Sequence, residues 1–295
     1  MGFEFIKTNI KGKLIPSLVK NLNITYSEAQ KFVDRKRVYL NNKIFMDKKA
    51  YLDDEIDVIV FRPKPTGLNP MFEMKDFAIF DKPSGLAVHP KNLSPSQTLL
   101  DDIKFLFGKE ANLIHRLDKE TSGLIISAKN KKTEIEFKNM FQEKKIQKYY
   151  LALVEGEIKE KIVIDKPIIS NKDLNIKVKV LIDKNGKNSI TEITPIKKIG
   201  NNTLIMAKPI TGRQHQIRVH LYSIGHKIVG EPIYGVDFKI ADKYLKGELS
   251  LEDRIKYIGY NRLMLHSYKI EFEYNKVKYV IVSKNDFLTI NSYER

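Results

Sequence analysis

Residues 112–127 read NLIHRLDKETSGLIIS. Two short apolar runs flank a knot in which His115, Arg116, Asp118, Lys119 and Glu120 crowd six positions. Apolar runs of that length, bounded by turn residues, read as buried strands. A plain hairpin between them would need only Asn-Gly or Asp-Gly. The loop is therefore an overdecorated turn or a site. Taken alone, Asp118 suits both readings: a turn or N-cap aspartate ahead of Ser-Gly, or a carboxylate held on a tight loop beside Arg116. Gly123 is expected to let the chain approach a ligand closely.

Outward from that stretch the chain is rich in strands. FAIF, LIIS, YYLALVEG, NIKVKVLI, SITEITPI and NTLIMAKPI are expected as strands, several with period-two alternation. SQTLLDDIKFLF, KKTEIEFKNMFQEKK and RQHQIRVHLYSIG carry helical patterns. Strands outnumber helices and rarely alternate with them, which predicts an α+β fold: a mixed, mainly antiparallel sheet with flanking helices. The polar stretch GVDFKIADKYLKGELSLEDRIKYIG is expected as a long surface excursion.

A smaller part precedes it. IPSLVKNLN reads as a short helix, and TYSEAQKFVDRKR opens with a capping box, Thr25 as N-cap and Glu28 three residues on. VYLNNKIF is a hairpin about Asn41-Asn42, and DDEIDVIVF a closing strand. RPKPTGLNP follows, with three prolines and a glycine. The expected organisation is a small module over 1–61, a linker over 62–70 and a large domain over 71–295.

Composition narrows the function. The 295 residues are 42% hydrophobic, without a run near the roughly 20 residues of a membrane span, and no secretory leader is expected. There is no cysteine, so disulfides, thiolate metal sites and cysteine nucleophiles are excluded, and a cytoplasmic setting is expected. Net charge is +16. Abundant Lys, Ile and Asn of AT-rich coding explain part of it. The excess still attracts polyanions, which makes nucleic acid the leading partner.

Three further segments carry candidate chemistry. In TGRQHQIRVH (211–220), a helix opening at Arg213 would present backbone amides to an anion, with Arg213 and Gln214 beside them; an ordinary solvated helix face is the alternative. A zinc reading of His215, His220 and His226 is weak, because Arg213, Arg218 and Lys227 flank them, and no metal is expected. In KYYLALVEG (148–156) both faces are apolar, so the strand is central. Its tyrosines are either core residues or, for Tyr150, a surface for stacking on a base. FDKPSGLAVHP (80–90) reads as a turn between strands. Phosphate loops of the GxGxxG or Walker type are absent, so no nucleotide cofactor is expected.

In order and spacing, DKPSGLAVHP, HRLDKETSGL, KYYLALVEG, TGRQHQIRVHLYSIGHKIVG and RLMLHSYKIEF resemble the RluA-type pseudouridine synthases of RNA, over about Phe77 to Tyr274. Residues 14–61 resemble the small αL RNA-binding module of a small-subunit ribosomal protein. The resemblance implies the pseudouridine synthase fold, an isomerase that turns uridine into pseudouridine within RNA, and no cofactor; a monomer is expected. It makes Asp118 the nucleophile. A closed pocket raises a carboxyl pKa by as much as about 3–5, whereas a nearby guanidinium lowers it by about 1–3. A cationic partner is thus required, and the resemblance maps it onto Arg218. Arg116 would assist base eversion or contact phosphate. Tyr150 would stack on the uracil and assist proton transfer.

RNA contacts are expected from Lys31, Arg35, Lys36 and Arg37 in the module, with acids gathered apart at 53–57, and from Lys82, His115, Arg213, Gln214 and His215 in the large domain. The module favours ribosomal RNA, most of all that of the large subunit, over transfer RNA. Lys36 and Asn42 stand where it prefers glycine. Gln214 and Glu231 replace the family's Thr or Ser and Asp, and neither is expected to touch the chemistry. Two rivals are a non-catalytic RNA-binding assembly factor and a glycosidic hydrolase, which would need a second carboxylate as acid.

Overall fold

The computed structural model describes residues 2–90, 96–170, 176 and 178–288. They fall into two units, residues 1–66 with 89–105, and residues 67–88 with 106–295.

In the first unit, β1 (Phe3–Lys13) is followed by α1 (Leu14–Leu22), α2 (Tyr26–Asp34), β2 (Val38–Leu40), β3 (Lys43–Ile44) and β4 (Tyr51–Phe61). β1 was not expected from sequence. It lies antiparallel along all of β4, Phe3 opposite Phe61 and Lys13 opposite Tyr51, in a sheet ordered β1-β4-β2-β3. Its exposed positions mix Phe5 and Asn9 with Lys7, Lys11 and Lys13, so the strand shows little apolar alternation. The capping box forms as read: Thr25 Oγ1 accepts from the Glu28 amide at 3.2 Å, and the Thr25 amide donates to Glu28 Oε2 at 2.7 Å. Ile10, Leu14, Leu18, Ala29, Val33 and Ile56 form the core beneath the two helices.

Two turns of this unit use left-handed backbone. Asn41 (φ 51) and Asn42 (φ 62) make the β2–β3 hairpin. α2 ends in a Schellman motif, in which the Arg37 amide bonds Phe32 O and the Lys36 amide bonds Val33 O. Lys36 occupies the position usually given to glycine, at φ 56, which costs about 1–2 kcal/mol.

The segment 89–105 belongs to this first unit, whereas the sequence reading placed it in the large domain. Asp101 Oδ1 accepts the Lys64 amide at 3.1 Å, and Asp102 Oδ1 accepts the Thr66 amide at 2.7 Å. These carboxylates satisfy backbone donors of a stretch whose prolines exclude a ladder.

The second unit starts with β5 (Phe72–Glu73) and β6 (Phe77–Lys82). α3 (Leu99–Phe107) links the units in sequence. Then come β7 (Asn112–Leu113), β8 (Ser122–Ala128), α4 (Lys131–Gln142), β9 (Gln147–Glu155), β10 (Ile162–Asp165), β11 (Ile168–Ser170), β12 (Val180–Ile182), β13 (Ile190–Ile199), β14 (Asn202–Pro209), α5 (Gln216–Tyr222), α6 (Phe238–Lys246), α7 (Leu251–Ile258), β15 (Leu265–Tyr274) and β16 (Val277–Val282). The main sheet is ordered β10-β13-β14-β9-β15-β8-β6-β5, with β16 on β15 and β7 on β8. Among the described residues every pairing is antiparallel except a short parallel one, His266 to Ser122 and Ser267 to Gly123. The fold is α+β with a mainly antiparallel sheet. Phe137 and Met140 of α4 close a core with Phe77, Leu124, Ile126 and Phe272.

Of the strand expected at NIKVKVLI, residues 175 and 177 lie outside the described residues, and Val180–Ile182 form β12. The polar excursion is instead two helices, α6 and α7. Asp237 and Ser250 cap their N-termini, and Gly247 and Gly259 end them in left-handed backbone. Their charged faces hide the pattern, because Ala241 and Ile258 are the residues they bury.

Candidate active site

The charged knot is a loop between β7 and β8, held from beneath by the DKPSG segment. Lys82 is fully buried, and its Nζ donates to the carbonyls of Pro83 (2.9 Å), Leu86 (2.9 Å) and Lys119 (3.0 Å). The Gly85 amide also bonds Lys119 O, and Ser84 Oγ donates to Glu120 O at 2.7 Å. Glu120 Oε2 accepts from Arg254 Nη2 of α7 at 2.7 Å and from the Leu263 amide at 3.3 Å. Neither Glu120 nor Arg254 was read as functional, because the sequence places them 134 positions apart.

Asp118 projects from this scaffold with its side chain 30% exposed. Arg218, on α5, donates from Nη1 to Asp118 Oδ2 at 2.9 Å. Its Nε and Nη2 donate to Glu231 Oε2 and Oε1 at 2.8 and 2.7 Å, and the Glu231 carboxylate is buried. The expectation that Glu231 stands apart from the chemistry is corrected: it grips Arg218 bidentately and aims it.

Burial alone would raise the pKa of Asp118, but the charges of His215 and Arg218, the Arg218 hydrogen bond and Lys82 outweigh it and hold the carboxyl below its usual range. Burial, then Arg218, pushes His215 down to about 4. The imidazole is therefore neutral at pH 7. At neutral pH the charge that touches the carboxylate is Arg218.

Tyr150, on β9, is buried, and burial pushes its phenol well above its usual range, with Asp118 adding to the effect. It keeps its proton at neutral pH. A cleft of about 110 Å³ brings Arg116, Asp118, Lys148, Tyr150, Arg213 and Arg218 together. Arg116 is exposed at its rim.

Other expected contacts fall differently. α5 begins at Gln216, not Arg213, so no helix N-terminus faces Arg213 or Gln214. The Gln216 side chain folds back, Oε1 accepting the Arg213 amide at 3.0 Å. Arg213 Nε donates to Asn188 O at 3.2 Å and Gln214 Nε2 to Val178 O at 3.0 Å. His215 takes left-handed backbone (φ 51), with Nδ1 at 3.0 Å from Tyr234 Oη and Nε2 at 3.8 Å from Asp118. Lys82 needs correction as an RNA contact. Lys82 has no exposed surface. His115 Nε2 accepts the Ile126 amide at 3.1 Å, its ring lies 5.0 Å from Phe141, and burial pushes its pKa far down. Gly123 (φ 103) abuts the Ser267 backbone rather than a ligand.

In the first unit Lys31, Arg35 and Lys36 are exposed, whereas the Arg37 guanidinium lies 4.7 Å over the Phe3 ring. The acids gathered on β4 are met by β1: Glu55 pairs with Lys7 at 2.8 Å, and Asp53 lies opposite Lys11.

Residues 76–223 match the family model of RNA pseudouridylate synthases. An uncharacterized RNA pseudouridine synthase of Helicobacter pylori is 36% identical, over 95% of this chain and 94% of its own. The ribosomal large subunit pseudouridine synthase C of Buchnera aphidicola is 36% identical, over 70% of this chain and 63% of its own. The solved human RNA pseudouridylate synthase domain containing 1 superposes with TM-score 0.59 at 24% identity, over 75% of this chain and 86% of that one, a likeness that speaks to the fold. The chain belongs to the RNA pseudouridylate synthase family, in its RluA-type branch. It is accordingly an isomerase with RNA as its substrate.

Proposed function

We propose that this enzyme isomerises uridines of large-subunit ribosomal RNA, with Asp118 as nucleophile toward an everted nucleotide. Asp118 bonds transiently to the nucleotide and leaves again as its carboxylate; between these events the N1–C1′ glycosidic bond breaks, the uracil turns, and C5 bonds to C1′, the proton leaving C5 being matched by the one gained at N1. Atoms balance without a redox partner. The observation that carries this reading is the Asp118 carboxylate, held ionised at 2.9 Å from Arg218 in a cleft that also holds Tyr150.

An ionised carboxylate needs no base to act as nucleophile. Arg218 fixes its direction, and Glu231 fixes Arg218. The protonated phenol of Tyr150 offers its ring to a base, a contact worth about 1–3 kcal/mol. Arg116 stands at the rim, where an everting nucleotide enters. Eversion costs a few kcal/mol, which favours uridines in loops.

Two observations favour the target class. Relatives carry names for large-subunit ribosomal RNA. The N-terminal unit exposes Lys31, Arg35 and Lys36 on and just after one helix, a surface suited to RNA phosphates. Hydrolysis is disfavoured because Glu120, the loop's other acid, is held ionised by Arg254 and lacks a proton to donate.

The test is to map pseudouridines in ribosomal and transfer RNA from cells with the gene, without it, and with Asp118→Asn. Large-subunit positions lost in both altered strains support the proposal. Positions lost from transfer RNA alone would overturn the target class, and full modification by Asp118→Asn would overturn the nucleophile. Release of free uracil would establish the hydrolase instead.

A further inference from the structure

Lys148 lies two residues before Tyr150 on β9, so the two side chains leave the same face of the strand, about 6–7 Å apart along it. Both line the Asp118 cleft. Arg218 is fixed by Glu231 and Asp118, and Lys82 by three carbonyls. Lys148 is different. Its Nζ lies 5.2 Å from the centre of the Phe141 ring, and no hydrogen bond or carboxylate partner accompanies that contact among the described residues. Burial pushes its pKa down to about 8.

An unpaired ammonium in a partly desolvated cleft is costly unless an anion arrives. Resting on the reading that this cleft receives an everted nucleotide, we propose that Lys148 binds a backbone phosphate flanking that nucleotide while Tyr150 takes its base. The docked phosphate restores the ammonium's charge, so binding is accompanied by proton uptake above neutral pH.

The groups around Lys148 do not mimic this behaviour. His115 is neutral far below this range and His215 titrates near 4. Arg116, Arg213 and Arg218 present guanidiniums, a group that does not titrate in this range; Asp118 stays ionised, and Tyr150 stays protonated. Lys208, Lys269 and Glu271, on the neighbouring strands, gather around Tyr149 on the other face. Lys82, down at about 7, is enclosed beneath the loop.

The experiment measures binding of the full chain to a uridine-rich single-stranded RNA oligonucleotide between pH 7 and 9, for wild type, Lys148→Arg and Lys148→Met. Wild-type affinity is expected to fall about fivefold across the range, with roughly half a proton taken up per complex near pH 8. Lys148→Arg, always charged, binds as the wild type does at pH 7 and loses the pH dependence. Lys148→Met binds about tenfold more weakly at pH 7, with a log–log salt slope smaller by about 0.7. A pH-independent wild type, or a methionine variant that tracks it, overturns the proposal. Either result leaves the role of Asp118 to its own test, which reads product rather than binding.

Discussion

Arg218 is clamped from behind by Glu231, Nε and Nη2 donating to its two carboxylate oxygens at 2.8 and 2.7 Å, so Nη1 is left as the donor that meets Asp118. Two bonds behind a planar guanidinium set the direction of the third. Glu231→Gln keeps the shape and gives up the charge. Its kcat should fall by about a hundredfold with RNA affinity nearly unchanged. Stability should fall by about 3–5 kcal/mol, as for one partner removed from a buried pair. Single-turnover kinetics with denaturant unfolding checks both, and an unaltered kcat would show that Arg218 needs no support.

Both loop carboxyls have folded pKa values below their ordinary ones. Burial opposes this in each, and His215 with Arg218 overrides it at Asp118, as Arg254 does at Glu120. The unfolded chain therefore binds protons first as pH falls. The stability these groups contribute is fully present above the usual carboxyl range and is lost as pH falls through the lowered values. Stability should thus change little on their account from pH 7 to 5 and drop steeply below about pH 4. Arg254→Ala should move the acid midpoint upward and lower kcat; superimposable acid curves followed by circular dichroism would refute the clamp.

Lys36 sits at φ 56, in a C-terminal cap that glycine fills without strain. Lys36→Gly should stabilise the N-terminal unit by about 1 kcal/mol while weakening RNA binding and flattening its salt dependence. Thermal melting and filter binding read the two effects. A variant that is no more stable would mean that the turn carries no strain.

A Cβ on Gly123 would fall 2.3 Å from Ser267 O and 2.6 Å from Ser267 N, at φ 103. Gly123→Ala should therefore cost about 4 kcal/mol or more and separate β8 from β15. A folded, active variant in chemical denaturation would exclude this close approach.

What sequence could and could not show follows from the range of the interactions. The capping box, the Asn-Asn hairpin and the central strand at Tyr150 are local patterns, and all three were legible. The Asp118 knot stood out because charge interrupts apolar runs. The roles of Glu231 and Arg254 were not legible, since each is defined by a partner brought near only by the sheet. Lys82 misled: lysine ordinarily marks surface, and three carbonyls turned this one inward. α6 and α7 were missed because each buries a narrow stripe beneath many charges.

The grip of Leu263 and Arg254 on Glu120 also has a consequence in time. A nascent chain makes the aspartate long before the strand that seats its loop, because 143 residues separate Glu120 from Leu263. Until β15 takes its place between β8 and β9, the Asp118 loop rests on an unfinished floor. A chain halted upstream of α7 carries the Asp118 loop without the Arg254 and Leu263 clamp.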